Sequence, residues 1–134
     1  MIKFGKYGAA AEETAKVILR HSSKDIRSEW DKTMNKTFPE QPSSRSKACP
    51  RIAFLGLCED GLVKGIAKGS YGVKDKSINK KYAIDAAFLI LNGGEANRSY
   101  LWKKVAPEGK SHNSQMDVVI ALSEAGLLTF PDNN

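Results

Sequence analysis

The stretch Ser43–Ile66, SSRSKACPRIAFLGLCEDGLVKGI, constrains the fold more than any other part of the chain. Pro50 favours a helix start nearby, because proline is preferred in the first turn. Gly61, followed by an apolar residue, is typical of a left-handed residue just after a helix end. The pattern therefore predicts a central helix that ends at Gly61 and is capped by Ser46, with Cys49 as the alternative boundary.

The small residues of this helix predict a close helix–helix contact. Ala53 and Gly56 lie three residues apart and present almost no side chain. Glycine inside a helix costs up to about 1 kcal/mol relative to alanine, so Gly56 calls for a packing or ligand reason. Cys49 and Cys58 would lie about 13 Å apart along the same helix, too far for a disulfide, whose Cα atoms sit within about 7 Å. We therefore expect two free thiols.

Helical periodicity recurs along the rest of the chain. Apolar residues at three- and four-residue steps predict helices over 7–21, from a Ser23 cap to about 38, over 78–91 after a Ser77 cap, over 95–105 and over 114–125. We predict an all-α fold, with residues 1–134 forming a compact single domain of five to six helices. Residues 62–66 and 70–73 could pair as a small β-hairpin, winged-helix-like at most, or form irregular loop.

Length and composition exclude several classes of protein. A chain of 134 residues with 41% hydrophobic and 27% charged residues can bury a core and is not disordered. No apolar run approaches the roughly 18 residues that would suggest a membrane span. Glu12 and Glu13 interrupt the N-terminal segment, so it does not match a signal peptide. We expect a cytoplasmic protein that does not enter the membrane.

Positive charge is concentrated in the middle of the chain. The net charge of the chain is +6, and residues 45–81 alone contain nine Lys/Arg and three Asp/Glu. Such a cluster is typical of a surface that binds phosphates, although an ordinary solvated face has the same composition. The predicted nucleic-acid-binding or anion-binding residues are Arg45, Lys47, Arg51, Lys64, Lys68, Lys74, Lys80 and Lys81. The alternative partner is an acidic protein, with the chain as an inhibitor or adaptor.

A metal site, a cofactor site and an enzyme active site have weaker support in the sequence. The cysteines and histidines lack the spacing of a metal site, and no phosphate-cradling glycine loop is present, so we expect no metal and no cofactor. Asn79, His112 and Gln115 are candidates to line a cleft. An enzyme built on Cys49, His112 and Arg45 is the least favoured interpretation.

Three motifs carry a resemblance. They are SSRxKxCPRxAFLGLCExGLVKGI, Asn79-Lys80-x-Tyr82-Ala83 and His112-Asn113-x-Gln115-Met116-Asp117. Together they resemble a family of small bacterial proteins of unknown function, over most of the chain after residue 40. The resemblance implies a bacterial cytoplasmic or phage-borne protein and transfers no catalytic residue. It makes Arg45, Lys47, Arg51, Asn79, His112 and Gln115 the first polar positions to test.

Overall fold

The computed structural model describes residues 5–74 and 76–131. These residues form α1 (Gly5–His21), α2 (Ile26–Thr37), α3 (Pro42–Arg45), α4 (Ala48–Glu59), α5 (Ile78–Leu91), α6 (Arg98–Val105) and α7 (Gln115–Glu124). α3 is a single turn, and within the described ranges no β-strand is present. The predicted all-α fold is confirmed.

The helices share one hydrophobic core, with α4 and α7 at its centre. α4 packs against α5 and α7, and α1 packs against α7 and α2. Phe54, Leu55 and Leu57 of α4 are buried, and Phe54 stacks on Trp30 of α2 with ring centroids 5.2 Å apart. No helix in the described ranges is long and apolar enough to cross a membrane.

The end of α4 follows the sequence prediction, whereas its start does not. Gly61 is left-handed, with φ of +75°, and the Leu62 amide folds back to donate to the Leu57 carbonyl at 3.0 Å. The N-cap, however, is Lys47 in extended backbone, without a side-chain hydrogen bond. Ser46 instead donates its hydroxyl to the Pro42 carbonyl at 2.8 Å, in the turn of α3. The predicted Ser46 cap is therefore wrong.

Gly56 permits the close contact between α4 and α5. A Cβ atom at Gly56 would lie 2.7 Å from Lys80 Cγ and 3.3 Å from Lys80 Cα. Because the second of these is a backbone atom, the two helices could not keep their separation with a larger residue. The predicted close approach at Gly56 is confirmed.

The predicted hairpin over residues 62–66 and 70–73 does not form. Val63 instead makes an isolated antiparallel bridge with Leu128 near the end of the chain. The flanking bonds are Lys64 N to Leu127 O at 2.9 Å and Thr129 N to Leu62 O at 3.0 Å. In residues 70–73, the amides of Tyr71 and Val73 donate instead to the Glu59 side chain.

Two further helix starts differ from the sequence expectation. Asp25, not Ser23, caps α2 and accepts from the Ser28 amide at 3.0 Å. α6 begins at Arg98, after Asn97 accepts from the Tyr100 amide at 2.9 Å. In both cases an Asx residue outcompetes the predicted start, as its short side chain reaches the orphan amides of a first turn. α5 begins and ends as predicted, with Ser77 as its cap.

Candidate functional site

The chain between α4 and α5, residues 60–77, is the longest irregular connection in the described structure, and we call it the α4–α5 connection. Irregular segments longer than roughly 12–15 residues are uncommon in compact domains and are often functional. It carries three of the predicted basic residues, Lys64, Lys68 and Lys74, and also Lys76.

Glu59, at the end of α4, holds this connection in place. Its carboxylate is buried and accepts from the amides of Tyr71 at 2.7 Å and Val73 at 3.1 Å. Its other oxygen accepts from the Lys80 ammonium at 2.8 Å. Two amides that a hairpin would have used are thereby bound to a side chain, which explains why residues 70–73 form no strand.

The buried Glu59 carboxylate is charged, and both of its oxygens have hydrogen-bond donors. Burial alone would raise the pKa of Glu59, but hydrogen bonds from Lys80, Tyr71 and Val73 outweigh it and leave the pKa below its ordinary value. Lys80 also lies 3.3 Å from Asp60. Burial lowers the pKa of Lys80, yet the two carboxylates outweigh that effect and raise it overall. Both groups stay charged near neutral pH.

A groove of about 380 Å³ lies between α4 and the α4–α5 connection, and we call it the basic groove. Its described lining is Arg51, Ile52, Leu55, Gly72, Val73, Lys74, Lys76 and Ser77. Three cationic side chains thus border three aliphatic ones, and none of these eight described residues is acidic or aromatic. Asp75, between the two lysines in sequence, lies outside the described residues.

Arg51 marks a point of positive potential beside this groove. Its guanidinium donates to the Ser46 carbonyl at 3.2 Å. Burial and the nearby charge of Arg27 lower the pKa of Arg51, although Asp31 acts in the opposite direction. Arg27 itself pairs with Asp31 at 3.3 Å, so a carboxylate within the chain already balances its charge.

Besides Arg51, three more of the predicted anion-binding residues have hydrogen-bond or ion-pair partners within the chain. The Arg45 guanidinium donates to the carbonyls of Phe38 at 3.1 Å and Pro39 at 2.9 Å, so it helps to close the end of α2. Lys80 binds Glu59 and Asp60, as described above. Lys81 lies 2.6 Å from Asp85 on the exposed side of α5.

The remaining predicted cations lie around α4. Lys47 is exposed, with its ammonium 5.8 Å from the Tyr7 ring centroid. Lys64 and Lys68 are exposed on the α4–α5 connection, and the stem of Lys68 lies where a Cβ of Gly61 would be. Arg51 and Lys74 share the basic groove with Lys76, which is outside the set predicted from the sequence.

The three predicted polar residues meet where α5 and α7 begin. Gln115 is 1% exposed, and its amide donates to the Asn79 carboxamide oxygen at 2.8 Å. Its own oxygen accepts from the Asn113 amide at 2.7 Å. His112 lies beside them, at the N-terminal end of α7. The polar groups of Asn79 and Gln115 therefore bind one another and link two helices.

Neither thiol has a basic side-chain partner within the described residues. Cys49 and Cys58 are both free and both on α4, as expected. Burial raises the pKa of the Cys58 thiol, so it stays protonated. Within residues 5–74 and 76–131, no cluster of three or more His, Cys, Asp or Glu side chains could hold a metal ion.

Fold and groove together define a small all-α protein with a cationic, partly aliphatic groove. The chain belongs to DUF6979, a family of unknown function, which it matches over residues 4–129. The resemblance to a family without an assigned activity is thus confirmed. No curated protein and no solved structure gives a significant match.

Proposed function

We propose that this protein is a non-enzymatic binding protein whose basic groove holds an acidic, amphipathic segment of a partner protein. The observation that carries the proposal is the lining of the groove, in which cations border an aliphatic floor. The predicted setting, a bacterial cytoplasm, is part of the same proposal.

The cationic side of the groove supports an acidic partner. Arg51 comes from α4, whereas Lys74 and Lys76 come from the α4–α5 connection, so positive charge borders the groove on two sides. Both lysines are exposed. Charge complementarity of this kind speeds association and excludes basic partners.

The floor of the groove favours a protein segment over a phosphate backbone. Ile52 and Leu55 lie three residues apart on α4, and Val73 faces them from the connection. A helix with apolar residues on one side and carboxylates on the other matches such a groove. Bases of single-stranded nucleic acid stack on aromatic rings, and no aromatic side chain lines the described groove.

A second candidate function, nucleic-acid binding, has its own supporting observation. Lys47, Lys64 and Lys68 are exposed, outside the groove, and no ion pair within the described residues neutralises them. Together with the net charge of +6 they could contact phosphates on a broader surface. Such binding would weaken steeply with added salt.

The geometry gives no support to the enzyme interpretation. Its three members are Cys49, His112 and Arg45. Arg45 is held by two backbone carbonyls at the end of α2, and the His112 ring accepts backbone amides at α7. No hydrogen bond in the described structure orients Arg45 or His112 toward Cys49.

Fluorescence anisotropy with three labelled probes distinguishes the candidates. The probes are a helical peptide of glutamate and leucine with one apolar face, a polyglutamate peptide of equal length, and a 20-nucleotide DNA in single-stranded and duplex form. We expect the amphipathic peptide to bind more tightly than polyglutamate. We also expect Arg51→Glu and Lys74→Glu to weaken its binding at least tenfold. Lys103→Glu, an exposed charge reversal on α6, is the matched control and should leave binding unchanged.

The other outcomes assign the function differently. Binding of DNA but not of the amphipathic peptide, lost on Lys64→Glu and Lys68→Glu, would replace the first candidate with the second. Equal affinity for both peptides would remove the role of the aliphatic floor. Absence of binding by all probes at low salt would reject both candidates.

A further inference from the structure

The start of α7 has an unusual cap, made by the His112 ring. Ser114 is the N-cap residue, but it is left-handed, with φ of 70°, and its side chain makes no capping bond. The Ser114 amide donates instead to His112 Nδ1 at 3.3 Å, and the Met116 amide donates to His112 Nε2 at 3.2 Å. The imidazole thus replaces the hydroxyl or carboxylate that usually accepts these amides.

This cap works only with a neutral ring. A neutral imidazole has one nitrogen with a lone pair, so each tautomer accepts from one of the two amides. A protonated ring has N–H groups at both nitrogens and accepts from neither. It would also place positive charge at the N-terminal end of a helix, which the helix dipole disfavours.

Two charged side chains of the described structure, Asp117 and Arg98, act on His112 and pair with each other. Arg98 of α6 lies 2.7 Å from Asp117 of α7. From the α6 side, Trp102 meets the His112 ring edge to face at 5.2 Å. Tyr82 of α5 also contacts Trp102, with ring centroids 5.1 Å apart.

These groups combine to favour the neutral ring. Burial lowers the pKa of His112; Asp117 raises it and Arg98 lowers it, and the net direction is downward. With Asp117 bound to Arg98, the carboxylate is a poor partner for an imidazolium. The imidazole is therefore neutral at pH 7 and above.

We propose that His112 is a pH-sensitive latch that fastens the start of α7 and releases it when the ring is protonated. The latch is independent of the basic groove and of any partner bound there. On release, the ring no longer accepts from either the Ser114 amide or the Met116 amide. The adjacent Gln115, which joins α7 to Asn79 of α5, loses its fixed position as well.

The sign of the pH effect follows from the lowered pKa. The unfolded chain takes up its proton near pH 6.5, the ordinary value for histidine, before the folded protein does. The contribution of His112 to stability is therefore complete well above pH 6.5 and falls as the pH drops below it. One proton changes the unfolding equilibrium constant by at most tenfold per pH unit.

NMR titration of the two histidines tests the latch directly in the wild-type protein. His21, exposed in the last turn of α1, serves as the internal reference. We expect the His112 ring to titrate below pH 6.5, and the amide resonances of Ser114 and Met116 to shift with the same midpoint. A His112 midpoint at or above 6.5, or amides that do not follow it, would overturn the proposal.

A pair of variants tests its consequence for stability. His112→Gln removes the titrating group, so the loss of stability between pH 7 and pH 5.5 should be smaller than in the wild type. His21→Gln is the matched control and should leave the wild-type pH dependence intact. Equal pH dependence in wild type and His112→Gln would refute the latch. If His112→Gln does not fold, the titration of the wild-type protein decides.

Discussion

Replacing Glu59 by glutamine should loosen the α4–α5 connection. Both amide donors, from Tyr71 and Val73, bind the same carboxylate oxygen, and Lys80 binds the other. If the glutamine oxygen keeps the two amides, its NH₂ group faces the Lys80 ammonium, donor against donor. If the amide flips, two backbone donors are left without an acceptor. Neither orientation satisfies all three groups.

The cost of this change follows from the burial of the site. Hydrogen bonds to a charged group contribute about 1.5–3 kcal/mol, and neutral ones about 0.5–1.5 kcal/mol. Removing one member of a buried ion pair costs about 3–5 kcal/mol. The Glu59 side chain is 4% exposed, but Lys80 keeps Asp60 at 3.3 Å as a second partner. We therefore expect Glu59→Gln to lower the free energy of unfolding by about 2–4 kcal/mol.

Urea denaturation at pH 7, followed by circular dichroism, measures the loss. Hydrogen exchange should locate it, with faster exchange at the amides of Tyr71 and Val73. Asp85→Asn is the matched control, because it breaks an exposed pair with Lys81 and should leave the urea midpoint unchanged. In a double-mutant cycle with Lys80→Met, the two changes should be strongly non-additive. An effect of Glu59→Gln no larger than that of Asp85→Asn would refute the reasoning.

Two further predictions concern the same contact between α4 and α5. Gly56→Ala should lower the free energy of unfolding by about 1–2 kcal/mol despite the better helix propensity of alanine, since its Cβ would lie 3.3 Å from Lys80 Cα. Thermal denaturation measures this effect, and a stabilised variant would contradict the prediction. Because the pKa of Glu59 is below its ordinary value in the folded protein, its contribution is complete above about pH 4.3 and is lost as the pH falls through the folded pKa. Urea midpoints between pH 5 and pH 3 should therefore fall more steeply in the wild type than in Glu59→Gln.

Local sequence signals predicted most of the helical architecture. Ser77 and the apolar period after it predicted α5 from residue 78 to residue 91, as observed. Gly61 and Leu62 predicted the end of α4, because the left-handed glycine and the apolar residue that folds back are determined by residues next to them in the sequence. Helix starts were less predictable where several Ser, Asp or Asn residues competed for the cap, as Asp25 did with Ser23.

The candidate site was harder to predict because its contacts join distant residues. Lys80 belongs to the densest basic part of the chain, and nothing in the sequence shows that Glu59, 21 positions earlier, neutralises it. Arg45 likewise meets two backbone carbonyls whose availability depends on how α2 ends. A charge count locates a basic stretch of the sequence but cannot tell a paired cation from one that can bind a partner.

Trp30 and Trp102 occupy sites so different that the protein has two distinct fluorophores. Trp30 is fully buried in the core, where its indole N–H has no hydrogen-bond partner in the described structure. Trp102 is half-buried, donates to the Lys110 carbonyl at 2.8 Å and contacts His112. Emission from Trp30 should lie at shorter wavelength, as expected for an indole in apolar surroundings. Acidification should then alter the Trp102 component first, so that one emission spectrum separates local change at α7 from unfolding of the core.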